Sequence, residues 1–292
     1  MKYLAHISTV AMLAVSGAAL ADSNTAWLTQ TGVGNTASVD QTDAAAMGNT
    51  IHQTQTGFFN QAHAMQVGET GSVIYQTQEG SLNDAYALQS YGANNFSDIQ
   101  QQGFANTANT LQVGSFNSSA VISQQGTGNN ARIDQAAGTD NTAIIQQNGL
   151  VHNAYIGQFF SADSTGYVYQ EGIGNDAAIL QGGIGHTAMV NQTGAANNAT
   201  ITQVGFYNDA VVTQNGFGND AYITQFGLYS SASITQDGAL NHASILQQGL
   251  GGHNAMISQS GSLNNAMVIQ SGLSETAIVT QVGVGNQAVI LQ

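Results

Sequence analysis

The side chains that could perform chemistry in this chain are few, and most are placed where they cannot cooperate. Six histidines follow residue 21, and none stands in an H-x-H or H-x3-H pair that would hold a metal. His152, His186 and His253 replace Asn or Ser at recurring positions, which makes them corner residues rather than ligands. Cysteine is absent, and no G-x-S-x-G, P-loop or H-E-x-x-H motif occurs, so the chain is read as not an enzyme and as taking no cofactor. Gly172-Ile-Gly-Asn-Asp176 and Gly216-Phe-Gly-Asn-Asp220 share some features of calcium β-roll nonapeptides. Their period differs, and Asp is missing from most copies. What remains is the amide: a group with two N–H donors and a carbonyl acceptor, able to bond to a copy of itself.

Amides recur with a strict spacing. A first Gln falls at Gln30, Gln55, Gln78, Gln101, Gln124, Gln147, Gln170, Gln192, Gln214, Gln236, Gln259 and Gln281. A second follows eleven residues later in every copy: Gln41, Gln66, Gln89, Gln112, Gln135, Gln158, Gln181, Gln203, Gln225, Gln247, Gln270 and Gln292. Two residues after each first Gln stands Gly, as at Gly172, Gly194, Gly216, Gly238 and Gly283. Five after it stands Asn, as at Asn175, Asn197, Asn219, Asn241 and Asn286, with His152 the one substitute. Ala stands seven after it in all copies. From second Gln to next first Gln the interval is eleven, twelve or once fourteen (Gln41 to Gln55). The structural unit is therefore 22–23 residues with two strand segments, one connection fixed in length and the other tolerant of an insertion.

The elements that must position these amides are β-strands. Stretches such as Ala199-Thr200-Ile201-Thr202-Gln203 alternate with period two, which puts Ala, Ile or Val, and Gln on an inner face and Thr, Ser or Tyr outside. Gly and Asn between the segments are expected to make the turns, because both tolerate positive φ. Proline is absent from all 292 residues, as suits a chain filled with ladder-forming strands. The expected fold is all-β: a β-solenoid, or cross-β stack, of about twelve two-stranded rungs about 4.8 Å apart. Each inward Gln would lie over the Gln of the rung below in a self-satisfying ladder. In the same register His242 falls over Asp220 and Glu275 over His253.

Residues 1–21 have the pattern of a secretory signal peptide, with Lys2, an apolar run and the small-residue ending Ala19-Leu20-Ala21; residues 22–292 form the repeat domain. After cleavage, one Arg stands against sixteen acids. That balance speaks against nucleic acid and against anionic membrane surfaces, and no stretch in the repeats suits membrane insertion. The repeats start at Asn24 and run unspoiled to Gln292, so the ends are expected to lack the polar caps of soluble solenoids and to template head-to-tail growth.

The pattern [N/S]-x5-Q-x-G-x2-N-x-A-x3-Q, with segments such as Ile201-Thr-Gln-Val-Gly-Phe-Tyr-Asn-Asp-Ala210, closely resembles curlin, the subunit of the curli amyloid fibres of Gram-negative bacteria. The resemblance covers residues 24 to 292. It implies a self-associating extracellular fibre subunit of the biofilm matrix, active in surface adhesion. It further implies a related nucleator subunit and an outer-membrane secretion channel as partners. Familiar major subunits carry about five repeats behind a distinct N-terminal stretch, whereas only Asp22-Ser23 separates the expected cleavage point from the first repeat here. The absence of added basic residues and of a degenerate last repeat favours the major-subunit role over a nucleator or minor subunit. The alternative outside that family is a monomeric secreted β-solenoid that binds a ligand or surface.

Overall fold

The computed structural model describes residues 23–43 and 45–292; the signal-peptide reading of residues 1–21 lies outside them. The described chain alternates between two parallel sheets of twelve strands each. Odd-numbered strands, from β1 (Thr25–Val33) to β23 (Thr276–Val284), form one sheet, and even-numbered strands, from β2 (Thr36–Asp40) to β24 (Gln287–Leu291), form the other. Every strand pairs with the strand two places along, so each 22–23-residue unit is one turn of a β-solenoid and the fold is all-β.

The register is what the amide spacing requires. Gln30 pairs with Gln55, Gln147 with Gln170, and Gln203 with Gln225, and Gly lies over Gly throughout the odd sheet. Inside, Ala and Ile or Val alternate: Ala188 and Val190 on an odd strand, Ala199 and Ile201 on an even one, all essentially without solvent contact. The small residue of one sheet faces the large residue of the other. In the one rung where both are polar, Ser97 and Thr110 meet by a 2.6 Å hydroxyl–hydroxyl hydrogen bond across the interior. Such a thin core accepts no second large side chain at either place, which explains the invariant Ala.

The glycine two residues after the first Gln serves two purposes. Its φ lies in the region L-residues avoid, +112° to +139° in all twelve copies. A Cβ there would also run into the carbonyl of the equivalent glycine one rung on, as at Gly194 against Gly216. The turn itself departs from the sequence expectation. Positive φ falls on the residue before each corner Asn, whatever its type: Phe59, Leu82, Ala105, Val151, Ala196 and Leu240 among them. The corner Asn itself takes ordinary backbone angles. Its role lies in its side chain, described below, and the left-handed residue is chosen loosely because its own side chain points out of the corner.

The elastic connection has a structure of its own. Across the first six rungs, where the interval is twelve or fourteen, an extra bridge column runs through Met47, Thr70, Ala93, Phe116, Thr139 and Ala162, a short third side to the rung. It ends at a β-bulge in β12 (Asn153–Ala162), where the register against the next even strand shifts between Gln158 and Ser161 and Phe160 is expelled into solvent. Most later rungs use an eleven-residue interval and close that corner with glycine, as at Gly183 and Gly205, in the manner of the first.

Gly194→Ala is expected to lower the stability of the folded chain by about 2 kcal/mol or more, through positive φ and the carbonyl collision together. Ala196→Gly two positions on should stay within about 0.5 kcal/mol, since relief of a left-handed alanine offsets added unfolded-state entropy. Denaturant midpoints of the two variants test this; equal losses would contradict the carbonyl contact.

Candidate functional site: the amide columns

Two glutamine ladders run the length of the solenoid. In the first, Gln30 Nε2 donates to Gln55 Oε1, Gln55 to Gln78 and so on to Gln281, at 2.6–2.9 Å. In the second, Gln41 donates to Gln66, Gln66 to Gln89, then Gln112, Gln135, Gln158, Gln181, Gln203, Gln225, Gln247, Gln270 and Gln292, at 2.7–3.1 Å. Every link has the same direction, donor in the earlier rung and acceptor in the later one. The remaining N–H reaches a backbone carbonyl opposite, as Gln203 Nε2 does to Thr187 O at 2.9 Å. Between the ends these amides are buried with donors and acceptor engaged, the condition under which burying them carries no penalty. Gln30, Gln41 and Gln292, in the first and last rungs, are less covered.

A third column is made by the Asn five residues after the first Gln. Asn197 Oδ1 accepts the backbone N–H of Asn219 at 3.1 Å, Asn219 Oδ1 that of Asn241, and Asn264 Oδ1 that of Asn286. Its Nδ2 returns to the carbonyl four residues earlier and to the glycine carbonyl of the next rung, as from Asn175 to Glu171 O and Gly194 O. One side chain thus fastens the corner within its rung and to the next. A matching column, six residues before the first Gln, uses Asn or Ser oxygens in the same way: Ser72 N–H bonds Asn49 Oδ1, and Asn95 N–H bonds Ser72 Oγ.

The histidines fit these columns as amide substitutes. His152 Nδ1 accepts the backbone N–H of Asn175 at 3.2 Å, while its Nε2 approaches Asn148 O at 3.3 Å, where an Asn would place its Nδ2. His186 does the same with the N–H of Asn208 and with Gly182 O. His253 accepts the N–H of Glu275, whose carboxylate stands 3.7 Å from the ring. The arrangement requires a neutral ring bearing its proton on Nε2. Burial pushes the pKa of His152 and His186 down, outweighing the carbonyls that favour the charged form. The turn reading of these histidines holds, and so does the placement of His242 over Asp220.

Two features lie outside the sequence reading. Gln53 and Gln76 occupy an interior position that later rungs give to Ile or Val, and bond to each other at 2.7 Å as a short extra ladder. An amide at an otherwise aliphatic place in the repeat was the available signal. Glu69 is fully buried in the longer corner, where Ser72 Oγ donates to it at 2.6 Å and Asn95 Nδ2 at 3.3 Å. Burial pushes its carboxyl pKa up despite these donors. Among the described residues no group of three His, Cys, Asp or Glu side chains is arranged to hold a metal ion.

Residues 161–194, 194–227 and 254–283 match the curlin associated repeat. No curated protein matches the chain.

Two outcomes follow from the columns. Gln203→Leu keeps the volume but strands the Gln181 donor and the Gln225 acceptor, and should cost about 2–5 kcal/mol. Thr202→Ser on the outer face should change stability by less than about 0.5 kcal/mol, and similar denaturant midpoints for the two would refute the ladder's role. For His152 and His186, a lowered folded-state pKa means that the unfolded chain binds more protons below about pH 6.5. Their support is therefore whole above that pH and is lost as pH falls toward the folded-state value, by up to about 1.4 kcal/mol per pH unit for each. His152→Asn should flatten that acid-side slope, with Glu69 contributing the opposite sign because its raised pKa favours the folded chain on acidification; an unchanged slope between pH 6.5 and 5 would remove His152 from the account.

The three matched segments are curlin associated repeats, and they lie in one register whose Gln, Gly, Asn and Ala columns extend from β1 to β24.

Proposed function

We propose that this chain is the structural subunit of an extracellular curli-like amyloid fibre, serving in biofilm matrix and surface adhesion, and that fibres grow by stacking the rungs of successive copies. The observation that carries the reading is the unbroken, one-directional pair of glutamine ladders. At the first rung Gln30 and Gln41 present Oε1 atoms that accept no hydrogen bond among the described residues. At the other end Gln281 and Gln292 present amide N–H groups with only a backbone carbonyl engaged. The two surfaces are complementary in donor and acceptor, in register and in shape. Inward residues of the terminal rungs, Val39 at one end and Ala288 and Ile290 at the other, are only half covered, and a further rung would bury them.

The same geometry accounts for a subunit that stays unfolded until templated. Ordering 22 residues costs about 20–40 kcal/mol of backbone entropy, far more than one rung's buried side chains return, so a first rung is hard to form and a preformed one speeds the next. A nucleator subunit would supply such a rung, and secretion through an outer-membrane channel would deliver the chain unfolded.

Purified chain lacking residues 1–21 should form unbranched cross-β fibres after a lag, shortened by seeds, with each chain occupying about 58 Å of fibre length. A Pro- and Lys-containing tail placed after Gln292 should block strand addition at that end while leaving all rungs intact. Electron microscopy and thioflavin fluorescence read both; a protein that remains monomeric for days at tens of micromolar rules the reading out in favour of a solitary solenoid.

A further inference from the structure

At the corner that leads from an even strand to the next odd one, four successive rungs place Gly185, Tyr207, Tyr229 and Gly251 four residues after the second Gln. Tyr207 follows β16 (Asn198–Phe206) and Tyr229 follows β18 (Asp220–Leu228). Both take the left-handed conformation, with φ of 55° and 56°, so their Cα–Cβ bonds leave the corner in the same direction. Each backbone N–H is fastened to the rung before, Tyr207 to Ile184 O at 2.7 Å and Tyr229 to Phe206 O at 2.9 Å. The two rings therefore lie one over the other, with centroids 5.3 Å apart and planes within 9°. Among the described residues theirs is the one ring contact made by two tyrosines; the others join Tyr to His or Phe, or Trp to His.

Glycine flanks the pair on both sides. Tyr207 leans over Gly185, where a Cβ would run into its ring, and a Cβ on Gly252 would meet the carbonyl and Cβ of Tyr229. The side chains are 50% and 65% exposed, so an oxidant reaches them without the rung opening. Neither phenol oxygen has a hydrogen-bond partner among the described residues. The phenols of Tyr155, Tyr167, Tyr169 and Tyr222 are each bonded to a neighbouring side chain. Other covalent ties are closed to this chain: it has no cysteine for a disulfide or for quenching a radical, and no lysine beyond Lys2. Its one indole, Trp27, stands in the first rung, far from the pair.

We propose that Tyr207 and Tyr229 form an oxidative cross-linking site, at which a peroxide-driven one-electron oxidant joins the two phenols into dityrosine and bolts two successive rungs together. Each phenol gives up one electron and its hydroxyl proton to become a tyrosyl radical. The radicals couple through a new bond between ring carbons ortho to the oxygens. Each of those carbons then releases its proton and each oxygen takes one back, which restores both phenols. The two electrons and two protons withdrawn reduce one hydrogen peroxide to two waters, so the step balances. Stacking in register supplies the proximity that radical coupling otherwise draws from diffusion, and the corner position leaves the rings room to turn toward each other. The bond lies inside one chain and is therefore independent of the fibre reading: the same pair exists in a solitary solenoid.

Treating the folded chain, soluble or assembled, with a haem peroxidase and hydrogen peroxide should raise dityrosine fluorescence and remove two hydrogens from the mass of the chain. Peptide mapping should find Tyr207 joined to Tyr229 in about tenfold excess or more over any other tyrosine pair. In chain unfolded by denaturant that preference should vanish, because Tyr167 and Tyr169 are then closer to each other along the sequence. Tyr207→Phe and Tyr229→Phe should each abolish the product; Phe59 and Phe160 already occupy left-handed corners, so the fold accepts the ring. Tyr91→Phe should leave the product unchanged, since Tyr91 sits at a like corner with Gly68 and Gly114 in the adjacent rungs. Dityrosine of the folded parent that maps to other tyrosines, or only to pairs in different chains, or that survives Tyr207→Phe, overturns the inference. So does a folded parent that yields none while free tyrosine in the same solution couples.

Discussion

A buried amide satisfied by the same amide one rung away is the constraint on which the rest of this molecule depends. An inward Gln that missed its partner by one residue would face the wrong side of the sheet and leave donors and acceptor stranded. The ladders therefore require parallel strands in perfect register, and every other regularity serves that requirement. The eleven-residue step from first to second Gln is invariant because it carries the chain round the corner that holds the Asn column. Insertions are admitted only on the opposite side, where in the first six rungs the short bridge column from Met47 to Ala162 absorbs the extra residue without displacing either ladder.

Most of this was legible in the sequence because the constraint is periodic. Identical residues at a fixed interval announce identical environments, and alternation around Ile201 and Gln203 gives the inner face directly. What escaped the reading depends on contacts between rungs rather than within one. Positive φ was assigned to the corner Asn from its residue type, yet it falls on Phe59, Leu82 or Ala196, whose identities vary because their side chains leave the corner. The glycine was understood as a backbone requirement, while half of its invariance comes from a carbonyl of the following rung. The Gln53–Gln76 pair and Glu69 were passed over since each departs from the consensus in only one or two rungs.

The histidines show how far the constraint can bend. A corner position needs an acceptor for the next rung's backbone N–H and a donor for the carbonyl at its own turn, and neutral imidazole supplies both at nearly the spacing of a carboxamide. What imidazole adds is a protonation equilibrium inside an otherwise non-titrating column. The buried Glu69 adds one of opposite sign. The response to mild acid thus includes these corner residues beside Asp84 and Asp98 on the strands, whose carboxyl pKa burial also raises.

The ladders also give the solenoid a direction. All twenty-two glutamine links donate from the earlier rung to the later, so their amide dipoles add along the axis instead of cancelling. Reversing one link reverses the donor and acceptor needs of both neighbours, which makes the orientation a property of the column and not of any single side chain. A copy added to the terminal rung meets a surface that specifies strand direction, register and amide orientation together. Addition in the opposite sense would set amide N–H groups against one another in both ladders and leave the Asn column without its backbone partners. Polarity at the ends is thus inherited from the interior, and a polymer built from this subunit would carry one direction throughout its length.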